Sequence, residues 1–252
     1  MDWLFQPLEW WLLGGGFTPA LLVLGAVMYL TWTTAYLLII RQSFREKTYG
    51  VPMVAVMMNI VWEFCFSFDV LDQNLAPFFE WGNRLWFVFD VVILYQLFKW
   101  GKQAQVLPPV RDYFHAIAGF GLAATAAALP LAIIYVNDLD GISSSFTMNL
   151  SMSVMFPFMI YFRPRLEGLN YPAAWLKMIG TAAGALLCVW WFPAQFENGF
   201  RIPSALIGQQ IPEPPSYAYL NTIYILIFLI DCLYIYLLRG ARKRLAAEGA
   251  AA

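Results

Sequence analysis

Charge is scarce in this chain. Asp, Glu, Lys and Arg make up 12% of its 252 residues, about half of what a soluble domain carries. A formal net charge of −1 argues against a nucleic-acid partner. Histidine occurs once, at His115, which argues against a histidine metal site or a catalytic triad. The three cysteines, Cys65, Cys188 and Cys232, are odd in number and sit in apolar runs without metal-ligand spacing. They read as small buried hydrophobes. No metal and no cofactor are expected.

What fills the chain instead is apolar: 61% of residues are hydrophobic and the mean hydropathy is +0.61. Seven apolar segments, at 19–40, 51–71, 83–99, 113–136, 145–162, 173–192 and 219–238, reach or approach the length a helix needs to cross a ~30 Å hydrocarbon layer. Helices are expected because a spanning segment must satisfy its own backbone polar groups. Arg41, Arg45 and Lys47 follow the first span, Lys99, Lys102 and Arg111 the third, Arg163 and Arg165 the fifth, and Arg239, Arg242, Lys243 and Arg244 the seventh. The opposite loops hold only Arg84 and Arg201, beside Asp72, Glu80, Asp138, Asp140, Glu197 and Glu213. The positive-inside rule then places the N-terminus outside or in a lumen and the C-terminus in the cytoplasm. An odd number of spans gives the same answer.

The expected fold is an all-α membrane protein with seven transmembrane helices. An interfacial N-terminal segment covers 1–18, the helical domain 19–240 and a cytoplasmic tail 241–252. The bacterial cytoplasmic membrane and the endoplasmic reticulum membrane both fit, and the oligomeric state is open. The opening MDWLFQPLEWWLLGGGF is too short and too acidic for a cleavable signal peptide. Its tryptophans suit the membrane interface. The proline-rich connection WFPAQFENGFRIPSALIGQQIPEPPSY reads as a lid over a cavity or as an ordinary interfacial loop, and RKRLAAEGAAA as a solvated, frayed end. Gly180 and Gly184 form a GxxxG, expected at a close helix contact.

Five ionisable residues lie inside the spans: Glu63, Asp69, Asp90, Lys177 and Asp231. Asp69 and Lys177 are near span ends and are expected to reach the interface. Glu63, Asp90 and Asp231 are deeper, and an ionisable residue at that depth marks a functional site or a polar contact between helices. Asn59 precedes Glu63 by one turn and shares its face. Asn83, Trp86 and Asp90 form one stripe, and Asn221, Tyr224, Phe228 and Asp231 another, with Tyr234 a turn further. Asn149 and Ser153 align likewise on the fifth span. Desolvation disfavours a bare carboxylate, so a buried acid stays protonated and can donate to an apolar substrate. Aromatic faces can stabilise a carbocation. The chemistry this pattern suits is general-acid attack on an oily molecule.

SFREKTYG at 43–50, leading into a span with NIVWE, together with WFVFD in the third span and Asp231 in the last, resembles the small seven-helix membrane terpene cyclases of fungal and bacterial meroterpenoid and indole-terpenoid biosynthesis. The resemblance covers essentially the whole chain. It implies cyclisation of a farnesyl-type chain on an aromatic or indole head group. The reaction would start by protonation of a terminal epoxide or alkene, without diphosphate ionisation, making the enzyme an isomerase or lyase. Glu63 and Asp231 would be the essential acids, with Asp90 a third candidate. Asn59, Trp62, Trp86, Asn149, Tyr224, Phe228 and Tyr234 are expected to contact the substrate. The sequence has neither the DDxxD that binds magnesium diphosphate nor a DxDD. The implied partners are a hydrophobic prenylated small molecule and the lipid bilayer. The competing reading is a proton-coupled transporter or a receptor-like seven-helix protein, in which the same acids relay protons. A retinal protein is disfavoured because the seventh span has no lysine.

Overall fold

The computed structural model describes residues 19–71, 77–138, 141–191 and 217–250. Every regular element among them is helical: α1 (Pro19–Glu46), α2 (Met53–Ser67), α3 (Pro77–Trp100), α4 (Pro108–Asp112), α5 (Phe114–Tyr135), α6 (Ile142–Phe162), α7 (Tyr171–Trp191) and α8 (Tyr217–Ala250). All but the short α4 fall on the apolar segments. By length and composition α1, α5, α6, α7 and α8 can cross a membrane. The helix α3 has the length but carries Glu80, Arg84, Asp90 and Lys99.

Two boundaries differ from expectation. The helix α2 has only 15 residues, about 22 Å at 1.5 Å per residue, where the apolar run is longer. Pro52 stands at its start, and just beyond its end Asp69 takes φ 54°, a left-handed conformation no helix continues through. The C-terminal segment is solvated as expected, with Arg242, Lys243 and Arg244 exposed, and α8 runs on past the apolar segment to Ala250. The expected interfacial segment 1–18 and the 191–217 connection lie essentially outside the described residues.

Helix starts are fixed by local chemistry. The Asp138 carboxylate accepts the backbone N–H groups of Ser143 (3.0 Å) and Ser144 (2.6 Å), satisfying donors that α6 leaves open in its first turn. Asn170 Oδ1 accepts the Ala173 N–H at 2.9 Å and does the same for α7.

The main packing partners run α1–α3, α3–α2, α2–α6, α6–α8, α8–α7 and α7–α1. That sequence closes on itself, so six long helices form a ring. The seventh, α5, packs on α2 from outside and buries only Phe114, Ala118 and Ile133. Leu30, Leu131, Ile225 and Leu229 are exposed, as a surface facing lipid tails requires. The seam between α1 and α7 is tight because of the glycine pair. A Cβ on Gly180 would lie 2.5 Å from Thr31 Oγ1 and 2.6 Å from Trp32 Cδ1, and one on Gly184 2.9 Å from Met28 Sδ. Gly180→Val is therefore expected to push this seam apart and cost about 1–3 kcal/mol. Thermal unfolding of the detergent-solubilised protein should fall accordingly.

At the pole carrying Arg41, Arg45, Lys47, Arg163 and Arg165, the loops are tied together. Buried Arg163 donates to the carbonyls of Tyr49 and Glu167, both at 2.5 Å, and lies 4.2 Å from the Tyr49 ring centroid. Glu46 Oε2 accepts the Gly168 N–H at 2.7 Å, and Asn170 donates to Gln42 Oε1 at 2.6 Å. This network forms the floor beneath the ring.

Candidate active site

The ring encloses a cavity of ≈ 30 Å³ to which all six of its helices contribute. Its polar wall carries Asn59 from α2, Asp90 from α3 and Lys177 from α7. Its aromatic wall carries Trp32 and Tyr36 from α1, Phe156 from α6 and Tyr234 from α8. Gly50, Val51 and Asn170 line it towards the basic pole. Ligand pockets usually measure ~300–1,000 Å³. The ring is thus closed down on its own side chains.

One acidic cluster sits between α2 and α3. Glu63 and Asp90 are buried and close enough to act on each other electrostatically. Glu63 Oε2 and Asp90 Oδ2 have no hydrogen-bond partner among the described residues. Native interiors rarely leave such atoms unpaired, so each calls for an explanation. Asn59 Nδ2 donates to the Tyr36 hydroxyl at 3.4 Å, and Asn59, Tyr36 and Asp90 all line the cavity. Around them Trp86 stacks on Tyr29 with centroids 4.6 Å apart and lies 6.5 Å from Tyr36, while its Nε1 donates to Thr33 Oγ1 at 3.2 Å.

The second cluster corrects an expectation. Lys177 does not reach the interface; it is 4% exposed and paired with Asp231, which is 1% exposed. Lys177 Nζ donates to Asp231 Oδ1 at 2.8 Å, to Asp231 Oδ2 at 2.7 Å and to Ser153 Oγ at 2.7 Å. All three ammonium protons are engaged. A stretched lysine has the reach to snorkel, but here a carboxylate and a hydroxyl on two neighbouring helices offer better partners than the pole. Asp231 is as deep as expected, yet it is one half of an ion pair rather than an isolated acid.

The remaining sequence candidates divide. Asn59, Asp90 and Tyr234 line the cavity, with Tyr234 stacked on Phe156 at 5.0 Å, and Trp86 backs Tyr36. Trp62 turns away from it: its Nε1 donates to Ser144 Oγ at 2.8 Å and its ring stacks on Phe66 at 4.3 Å. Asn149 is taken up by Thr181 Oγ1 at 2.9 Å, and Tyr224 packs edge-on against Phe146 at 4.4 Å. Phe228 is 47% exposed on the outer surface of α8 and does not line this cavity. Sequence reasoning passed over Tyr36 and Trp32, and singled out Lys177 but placed it at the interface. The spacing Tyr29, Thr33, Tyr36 on the first span, one polar-aromatic face at steps of four and three, was the available signal. Among the described residues no group of acidic, histidine and cysteine side chains is arranged to hold a metal ion.

This arrangement of buried acids in a ring of apolar helices can be set beside known proteins. The family model of Pyr4-like transmembrane terpene cyclases matches residues 17–200. The chain belongs to that family. Its relatives include the Pyr4-family terpene cyclase mfmH of Annulohypoxylon moriforme, 28% identical over 168 residues, 64% of this chain and 66% of that protein. Terpene cyclase macJ of Penicillium terrestre is 23% identical over 180 residues, covering 68% of each chain. Asnovolin H synthase nvfL of Aspergillus novofumigatus is 32% identical over 73 residues, 29% of each. The chain spans 66% of the length of mfmH and 24% of terpene cyclase ascF of Acremonium egyptiacum. No solved structure matches it. Glu63 and Asp90 both fall inside the stretch that matches the Pyr4-like family, whereas Asp231 and the whole of α8 lie beyond it.

Proposed function

We propose that this member of the Pyr4-like family is a membrane terpene cyclase that protonates the terminal epoxide or alkene of a prenylated aromatic or indole substrate and closes rings through carbocations. The observation that carries the reading is the pair Glu63 and Asp90. Two carboxyl groups are buried near each other, each has one oxygen without a hydrogen-bond partner among the described residues, and Asp90 forms part of the cavity wall. An uncharged carboxylic acid there has a proton to give to an apolar substrate. Asp90 is on the cavity wall with Asn59 and Tyr36, while Glu63 lies behind the lining residues. Glu63 is the initiating acid in this scheme, reached when the ring opens around the substrate. Trp32, Tyr36, Phe156 and Tyr234 offer π faces to the cations that follow. No diphosphate leaves, so no metal is called for.

The seven long helices are taken to span the membrane, with the basic pole in the cytoplasm. Support comes from the seven-fold match of helices to apolar segments and from the basic residues gathered at one pole. The small cavity supports a further step: substrate enters by parting the ring, and binding and opening are one event. The test is product analysis on membranes containing the protein, supplied with farnesylated phenols and indoles, each with and without a terminal epoxide. A cyclised isomer of at least one compound is expected. Unchanged substrate across the whole panel, from protein shown to be folded, sinks the reading and turns attention to transport.

A further inference from the structure

We propose that Lys177 is a substrate-binding residue that holds an oxygen of the aromatic head group, so that the prenyl chain points towards Glu63 and Asp90. The inference rests on the cyclase reading for the identity of the ligand, but its evidence is separate. Lys177 is on the cavity wall, while its counter-ion Asp231 is not among the lining residues. The pair is neutral as a whole, but its cationic partner is the one on the cavity wall, with Nζ 5.9 Å from the ring centroid of Trp32, another lining residue. A carbocation formed beside that ammonium would be repelled. The reacting end of the substrate therefore belongs elsewhere, and a group rich in electron density belongs here. A phenol, phenolate or carbonyl oxygen has that character; a hydrocarbon tail does not.

Depth agrees with charge. From Tyr171 to Lys177 is six residues, a rise of about 9 Å from the basic pole. From Met53 to Glu63, and from Trp100 back to Asp90, is ten residues, about 15 Å. The ammonium thus stands nearer the polar floor, with Gly50 and Asn170 beside it, and the acids stand deeper. The ring of Trp32, with its centroid 5.9 Å from Lys177 Nζ, offers a surface on which an aromatic head group can lie. The ammonium has three acceptors in place, and the exchangeable one is Ser153 Oγ at 2.7 Å. A neutral hydroxyl can rotate aside for a substrate oxygen, whereas the Asp231 carboxylate carries the balancing charge.

The test separates head-group recognition from catalysis. 2-Farnesylphenol and farnesylbenzene differ by one oxygen, and their fully saturated versions bind without being protonated. Affinities of the saturated pair are measured on detergent-solubilised protein, and KM and kcat with the unsaturated pair. Wild type is expected to bind the saturated phenol at least 10-fold more tightly than the saturated benzene. In Lys177→Met/Asp231→Leu, which removes the pair without leaving a lone buried charge, that preference should vanish while the benzene analogue still binds. If this variant does not fold, Lys177→Gln/Asp231→Asn serves in its place, with the preference expected to shrink several-fold. Equal binding of both analogues by wild type, failure of the phenol analogue to bind, or an undiminished preference in the double variant overturns the proposal. Cyclised product without a head-group preference would leave the cyclase reading standing and remove only this one. A preference without product would do the reverse.

Discussion

Glu63→Gln is expected to lower turnover by about 10²–10⁴-fold, the range over which a positioned general acid contributes, while the protein stays folded. Glutamine matches glutamate in shape but has no acidic proton. The buried site asks little of the Glu63 side chain structurally, since Oε2 has no hydrogen-bond partner among the described residues to lose. The change therefore removes chemistry and leaves packing. Product formation per folded protein, followed by mass spectrometry against wild type in matched membranes, measures it. Asp90→Asn is the informative companion. Asparagine matches aspartate in shape, so a much smaller loss there would identify Glu63 as the donor. Retained activity in Glu63→Gln with loss in Asp90→Asn would reverse the two roles.

The second large effect is on stability. Lys177→Met should destabilise the protein by about 3–5 kcal/mol, because it strands the Asp231 carboxylate in a dry interior. Replacing both partners, as Lys177→Met/Asp231→Leu, should recover most of that loss, since two apolar side chains need neither water nor each other. Thermal unfolding in one detergent at one pH is the measurement. A single variant no less stable than the double would show that the pair is not charged and paired as the 2.7 and 2.8 Å contacts indicate. Ser153 gives a milder version of the same test, because its loss leaves Lys177 with one fewer acceptor but no uncompensated charge.

Much of this architecture was legible in the sequence, and the illegible parts share a cause. Apolar runs locate helices because a ~30 Å layer imposes a length on them, and all seven long helices lie where those runs predict. The acids Glu63, Asp90 and Asp231 stand out because apolar surroundings make any carboxyl group conspicuous. What periodicity does not reveal is which of two adjacent helix faces turns inward. On α8 the buried residues are Leu220, Ile223, Ile227, Asp231, Tyr234, Ile235, Leu238 and Ala241. Phe228 and Ile227 stand three and four residues before Asp231, so both satisfy the spacing of a shared face. The aromatic residue drew attention, and the aliphatic one holds the inward position. Lys177 was misplaced for a related reason. Its distance from the span end fits an interfacial lysine, and only the docking of α6 and α8 against α7 supplies the acceptors that draw it inward. Trp62 and Asn149 share this history, the side-chain N–H of each being donated to a hydroxyl on another helix. Pairings across the ring are tertiary facts, and one strand of text carries no signal for them.

The closed ring also bears on energetics of a different kind. In the proposed cycle a proton leaves Glu63 for the substrate and another returns from the product inside the opened ring, while Lys177 and Asp231 stay mutually neutralised. No charge is carried from one face of the bilayer to the other. A transmembrane potential does work on moving charge, about 2.3 kcal/mol per unit charge per 100 mV, and here it has nothing to act on. Turnover would proceed alike in an energised membrane, a collapsed one and a detergent micelle, which a proton-coupled carrier built from the same acids could not do.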